Sequence, residues 1–449
     1  MSLKIWLPLN GNLNNFGCSN INIITTGTTT FLNGKIGKGL FCDGISSWTI
    51  EPITLNVNTS ICCWIKTSIN NKILWTLNSD TYGNLNLSTY NGIYCLNTDN
   101  ENNNSFKDNN NNDIIAYTDE LWHHLAVTFN NNIVKLYIDG VFCGAAATFK
   151  SPIATNKSIA IGGNSSNYNW SGMVNDFRIY DHTLSITEIK EIAKGLVIHY
   201  KLDTIQNNII QDSSGYNYNG ILINTPIISN DSIIYSHSTY FESENIKIES
   251  ENNNPITDSI TINFWIKYNS GTSLICSNEN NGWHFTFNPV QFSIYVVNLT
   301  TSEIENKLIQ SQISLQNVWT MVSGVYDRIN QKIKLFINGE KIIEGNTNNS
   351  NIIYYNNDII NISGGINGFI NDFRIYCTPL SDIDIKSLYN TRIKVDNFNN
   401  FHSFELKEEN NTNKISINKK GIIKTNEIIE NNSVKFNSQY ISAKNFIEM

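Results

Sequence analysis

The chain writes one block twice. "NDFRIY" stands at 175–180 and again, unchanged, at 371–376. Around it, "SICCWIKTS" at Trp64 answers "TINFWIKYN" at Trp265, and "LWHHLAVTFNNNIVKLYIDG" answers "VWTMVSGVYDRINQKIKLFINGE", with Trp122 matching Trp319. The offsets are 201, 197 and 196 residues, so one domain of about 195 residues is present in tandem. Even the openings correspond, "KIWLPLNGNLNN" against "VIHYKLDTIQNN". With 449 residues the chain is too long for one ordinary core. The repeat divides it into a first copy at 1–194, a second at 195–392 and a remainder at 393–449.

Each copy reads as strands. "VKLYID" and "IKLFIN" alternate apolar and polar residues and end in Asp-Gly or Asn-Gly, a strong hairpin signal. "SITEIKEIAKG" and "SDIDIKSLYN" predict one short helix per copy, each behind a capping Ser, and the first stops at Lys194-Gly195. Many short strands with turns between them predict an all-β fold of two tandem jelly-roll β-sandwiches. The remainder differs. Its "ISINKKGIIKTNEIIE" is echoed by "VKFNSQYISAKNFIEM", a repeat too short for a core of its own. Paired strands that dock on a neighbour or another copy of the chain are expected there.

Composition excludes several functions. Charged residues make up only 16%, well below the usual quarter, and the net charge is -8 without a basic block, which excludes nucleic acid as the main partner. The opening "MSLKIWLPLNGNLNN" has no signal-peptide pattern, and no apolar run is long enough to span a membrane. A soluble protein that no ordinary signal exports, without membrane insertion, is expected. The 8 cysteines form no CxxC pair and are read as buried free thiols, not as a zinc site or disulfide framework.

"GKIGKGLFCDG" (34–44), "CCWIKT", "WHHLAVTF", "VKLYIDG" and "GMVNDFRIYDHTLS" together resemble the laminin-G-like, concanavalin A-like jelly-roll family. The resemblance covers most of copy one; copy two follows more loosely and offers only "STYFESE" for the Gly-rich stretch. It implies a sandwich that hosts lectins, adhesion modules, glycosidases and spacers. The sequence also resembles proteins of AT-rich gut bacteriophages, in which a "KIWLPLNG" opening, laminin-G-like copies and a "TNEIIE"-type tail occur together. That resemblance implies a virion component such as a tail or head fibre, with other virion proteins as partners and a trimer as the oligomer suited to a fibre.

Catalytic patterns are missing. Retaining glucanases need two carboxylates about 5 Å apart, and the strand spacing that would place them does not occur. Glu242 and Glu244 share a face without a central acid, and Asp382 and Asp384 fall on the second helix. His123 and His124 point to opposite faces of a strand and cannot share a metal. "GKIGKG" lacks the ending of a phosphate loop, so its glycines are assigned to turns ahead of a strand. A non-enzymatic protein without cofactor is expected.

Within "NDFRIY", Asp176, Arg178 and Tyr180 share one face. Asp176 is either a sugar or Ca²⁺ ligand or, with Arg178, a scaffold pair that sets strand register; identity between copies favours the scaffold. No motif supports Ca²⁺. The flanking loops differ more. "NSSNYNWS" separates Gly163 from Gly172, whereas "IN" separates Gly365 from Gly368. Aromatic faces among amides suit a sugar, so Asn164, Asn167, Tyr168, Asn169 and Trp170 are candidate ligands of a host-surface polysaccharide or glycan. A loop whose Trp packs on its own domain or at an interface stays open as the alternative. Trp283 and His284 are a weaker candidate in copy two.

Overall fold

The computed structural model describes residues 3–390 except 56, 78–83, 99–103, 131–132, 147–156, 164–167, 217, 223–226, 243–245, 249–257, 278–281, 299, 316, 349 and 353–359, and beyond 390 only the strand backbones named below. The period-two segments are strands. In copy one they form two antiparallel sheets facing each other over one core. The larger sheet runs Val141–Ala146, Ile133–Ile138, His123–Asn130, Ser60–Lys66, Ser171–Tyr180, Lys38–Asp43, Thr30–Asn33, with Leu3–Leu7 also paired to Ser171–Tyr180. The smaller runs Ile23–Thr26, Ser47–Ile53, Lys157–Ile161, Ile73–Leu77, Leu85–Tyr90, Ile93–Thr98. Leu7, Leu40, Trp48, Leu74, Val127 and Phe177 meet between them in one apolar core. Asp139-Gly140 and Asn338-Gly339 turn with positive φ at both residues, as the hairpin signals predicted.

Copy two departs in one respect. Strands Ile260–Ser277 and Ile360–Tyr376 stay paired along nearly their whole length, with repeated register shifts, and link both layers into one continuous ladder. Two helices close the copies: α1 (Ile186–Ala193) carries the full capping box of Ser185 and Glu188, and α2 (Asp382–Asn390) follows Ser381, whose Oγ bonds Asp384. No described helix is long and apolar enough to cross a membrane. Past residue 390, strands His402–Glu408, Asn411–Ile417 and Ile423–Lys424 form one meander, and Ile429–Glu430, Ser433–Phe436 and Gln439–Ser442 a second.

"NDFRIY" is a β-bulge in both copies. Asn175 pairs with Trp64 and Arg178 with Cys62, so two residues oppose one; Asn371, Arg374, Trp265 and Asn263 repeat this. Asp176 and Asp372 take the extra position at φ 54° and 53°. The Asp176 carboxylate accepts from Trp6 Nε1 at 2.7 Å and Arg178 Nε at 3.0 Å. Asp372 accepts from His199 Nε2 at 2.8 Å, Tyr235 Oη at 3.0 Å and Arg374 Nε at 2.9 Å. Asn175 takes the Ile36 N–H and donates to the Pro8 and Lys38 carbonyls. The hexapeptide therefore locks three neighbouring segments in register.

One exchange explains how the copies join. Copy one has Gly37 alone where copy two has Tyr235-Ser236, and Ala193 where copy two has Tyr389. In copy two, Tyr235 closes over Asp372 and Tyr389 stacks on Trp265 at 5.6 Å. Copy one leaves those places open, and copy two fills them from outside. Tyr216 accepts from Arg178 Nη2 at 3.2 Å and packs edge-on against Trp6, while Trp64 belongs to the core of copy two. Lys35 crosses to Asp258 at 3.1 Å, and Arg328 binds the other oxygen. Burial opposes charge on Asp258, but Lys35 and Arg328 hold its carboxyl below the usual value.

The described cysteines are free. Cys42, Cys62, Cys63, Cys95 and Cys377 are buried, but Cys18 is exposed and Cys143 half-buried, which corrects the expectation of uniform burial. The two histidines diverge as the strand pattern required. His123 faces Asp139 at 2.8 Å and Asp119 at 3.3 Å, which together outweigh its burial and raise its pKa. His124 packs edge-on against Trp64, and burial pushes it down to about 4. The fold thus refuses a proton that the unfolded chain accepts below its ordinary value of 6.5. Stability is lost as pH falls from there towards 4, and none of this loss occurs above it. His124→Met, the residue copy two carries as Met321, is expected to gain about 2 kcal/mol on wild type between pH 7.5 and pH 5. Urea midpoints across that range measure it. Parallel pH profiles for the two proteins would contradict it.

Candidate functional site

Four turns at one end of the first sandwich are tied into a single rim. Asp43 builds the first: its Oδ1 accepts from the Ser46 and Ile45 N–H groups at 2.6 and 2.9 Å, and its Oδ2 from Ser46 Oγ. Those bonds, the Ser46 N–H foremost, hold the carboxyl below its usual range. The Ile45 carbonyl then accepts from Asn169 Nδ2 at 2.9 Å. Ile73 donates to the Tyr168 carbonyl at 2.6 Å, so the loop after Gly163 lies beside the 67–73 turn. The next strand joins through Thr89 N to the Lys72 carbonyl and Asn91 N to Asn71 Oδ1, at 2.9 and 2.8 Å. Thr67 Oγ1 closes the ring on the Ser171 carbonyl at 2.6 Å.

Two tyrosines stand on this rim. Tyr168 is 57% exposed and Tyr90 43% exposed, two strand spacings or about 10 Å apart. The exposed Asn71 and Asn91 lie between and beside them, and Ile45 and Ile69 add exposed apolar surface. Aromatic faces match the C–H side of a pyranose, and amides match its hydroxyls. Asp43, the acidic residue of these turns, is committed to its own turn. The described residues of the rim include no pair of carboxylates.

The expected ligands separate. Tyr168 is exposed on the rim. Trp170 is not: it is 0% exposed and packs in the core of the first sandwich. Strand parity accounts for this, since Trp170, Gly172 and Val174 alternate onto the core face ahead of the bulge. Asn169 is buried and works as the clamp on Ile45, not as a sugar ligand. Asn164 and Asn167 lie outside the described residues. In copy two, Trp283 is also 0% exposed; Trp283, Phe285 and Phe287 alternate into the core, and half-buried His284 bonds Ser293 Oγ. Burial lowers the His284 pKa. Trp283 and His284 therefore form no exposed aromatic face.

Tyr90, Asn71 and Asn91 escaped the sequence reading. "TYNGIY" carries a signal for part of it, an aromatic residue at the edge of an Asn-Gly hairpin. Nothing local says that this hairpin meets residue 168. The acids weighed for catalysis are dispersed. Asp382 pairs with Lys334 and Lys341, Asp384 with Ser381 and Lys194, and Glu244 lies outside the described residues. Among the described residues no cluster of three His, Cys, Asp or Glu side chains could hold a metal.

Residues 43–190 and 242–386 match the family described as the concanavalin A-like lectin/glucanases superfamily. The chain belongs to this superfamily. Both matched stretches fall within the repeated copies, so each sandwich is a member of the superfamily in its own right. No curated protein matches the sequence. Among solved structures, domain 4 of the extracellular arabinanase AbnA from Geobacillus stearothermophilus, in complex with arabinotriose, is 20% identical with a TM-score of 0.37, covering 43% of this chain and 98% of that one. The receptor-binding domain of botulinum neurotoxin type G is 14% identical with a TM-score of 0.35, covering 85% and 98%. Domains LG4-5 of the mouse laminin alpha1 chain are 10% identical with a TM-score of 0.26, covering 79% and 94%.

Proposed function

We propose that this superfamily member is a non-enzymatic adhesion protein of a bacteriophage particle, of tail- or head-fibre type, that binds host-surface polysaccharide through the rim of its first sandwich. The observation that carries the binding role is the exposed pair Tyr168 and Tyr90, set among Asn71 and Asn91 on turns that hydrogen bonds already hold in place. A preorganised rim loses little entropy on binding. Membership of a lectin and glucanase superfamily supports a carbohydrate ligand. The resemblance to phage proteins and the free thiols support assembly in a cytoplasm. Retention of the chain on immobilised bacterial surface polysaccharides, with no reducing sugar released, is the expected result; released sugar would make it a glycosidase.

The burial of Trp170 and Trp283 favours a second reading, a spacer with no ligand. Failure of every polysaccharide in such a panel would select it. The strands after residue 390 are proposed to serve assembly with other virion proteins or with further copies, a trimer first. Truncation after Arg392 is expected to leave folded sandwiches that no longer oligomerise, checked by mass measurement in solution. An unchanged mass would remove the assembly role.

A further inference from the structure

A second surface of the first sandwich carries a difference between the copies that the rim does not use. On the outer face of its larger sheet, a groove of about 480 Å³ opens beside the start of α1. Its walls include Ile133, Tyr137, Phe142 and Ile186, with the Thr128 side chain and Lys135 among them. Tyr137 and Phe142 meet edge to face at 5.5 Å, and the Lys135 ammonium stands 5.8 Å from the centre of the Phe142 ring.

Copy two shows what this place is for when it is filled. Register and motif alignment equate Lys135 with Lys334, Phe142 with Lys341, Ile186 with Asp382 and Ala145 with Glu344. There the Asp382 carboxylate lies 3.5 Å from Lys334 and 3.1 Å from Lys341, and Glu344 lies 2.9 Å from Lys341. In copy one both carboxylates are gone, replaced by Ile186 and Ala145, yet the lysine is kept. Among the described residues no carboxylate pairs with Lys135, and the sequence of 131–132 and 147–156, on either side of this hairpin in the chain, contains no acidic residue. The nearest acid on α1, Glu188, is committed to the Ser185 N–H and to His182.

We infer that this groove is a second binding site, whose ligand is an acidic sugar unit. Its carboxylate would take, over Lys135, the position that Asp382 takes in copy two, and its ring would lie against the half-buried Phe142, which Tyr137 backs from the core. Charge-assisted bonding supplies the preference for a carboxylate, and the aromatic walls and hydroxyls the preference for a sugar over a simple anion. The inference rests on the proposed role only in taking carbohydrate as the ligand class. It uses none of the residues of the rim.

The test is calorimetric titration of the full chain with trigalacturonate, and with maltotriose as the uncharged probe. Trigalacturonate is expected to bind, and Lys135→Gln to weaken it about tenfold. Ile186→Asp, which copies the arrangement of copy two and favours the helix start, is expected to abolish binding with Lys135 intact. A double variant of Tyr90 and Tyr168 should bind trigalacturonate as wild type does, so failure of the rim and failure of the groove are told apart. Melting curves confirm that each variant is folded. Absence of trigalacturonate binding, equal binding by all variants, equal affinity for maltotriose, or tighter binding of a hexaglutamate peptide would each overturn the assignment.

Discussion

Replacing Asp176 with alanine is expected to destabilise the first sandwich by about 3–5 kcal/mol, the range for breaking a buried ion pair from one side. Arg178 would lose the carboxylate that neutralises it, and Trp6 would lose its acceptor. Alanine would also inherit a φ of 54°, which disfavours an ordinary side chain. Asp176→Asn separates these effects, because asparagine tolerates the backbone and keeps an acceptor for Trp6 but still leaves Arg178 without its counter-charge. Its cost should stay within the ion-pair range, and the further loss in alanine measures the backbone and Trp6 contributions. Asp372→Ala should act alike in copy two. Burial would raise the Asp372 carboxyl, but Arg374 and His199 overcome this and hold it at about 2. Its stabilisation is therefore complete above the ordinary value of 3.8 and fades as pH falls from there to about 2. Urea unfolding of the single variants measures both. An Asp176→Ala midpoint equal to wild type would end the scaffold reading of "NDFRIY".

The second large effect is expected at the rim. Exposed aromatic anchors that become covered by a ligand commonly contribute 2 kcal/mol or more, about thirtyfold in affinity. Tyr168→Ala alone should weaken polysaccharide binding by about that factor, and the double change with Tyr90→Ala should remove measurable binding. Stability should hardly move, since both rings project into solvent. Trp170→Phe should do the reverse, lowering stability through a core cavity while leaving affinity near wild type. This contrast distinguishes the exposed Tyr168 from the buried Trp170 two residues further along the chain.

Much of the architecture was legible because it is written in local chemistry. The repeated Trp64 and Trp265 strands, the Asp-Gly and Asn-Gly hairpins and the Ser185 capping box each depend on neighbours in sequence. The scaffold role of Asp176 and Arg178 was legible too, because their spacing on one strand face let them reach each other. The rim was legible only in part. Tyr168 was visible as an aromatic residue in a polar loop, but its junction with Tyr90 depends on the Ile73 and Lys72 backbone bonds, which pair segments far apart in sequence. Trp170 sits in a loop of sugar-suited composition, but strand parity carried back from Val174 through Gly172 turns it into the core. The exchange of Gly37 and Ala193 for Tyr235 and Tyr389 lies in plain sight as a sequence difference. Its meaning depends on which face each copy turns to its neighbour.

The central claim is that glycan binds at the Tyr168 and Tyr90 rim of the first sandwich. Titration of a retained bacterial surface polysaccharide into wild type and into the Tyr90→Ala/Tyr168→Ala variant tests it most directly. The predicted result is saturable binding by wild type and none by the folded variant, and equal affinity for the two proteins would contradict it.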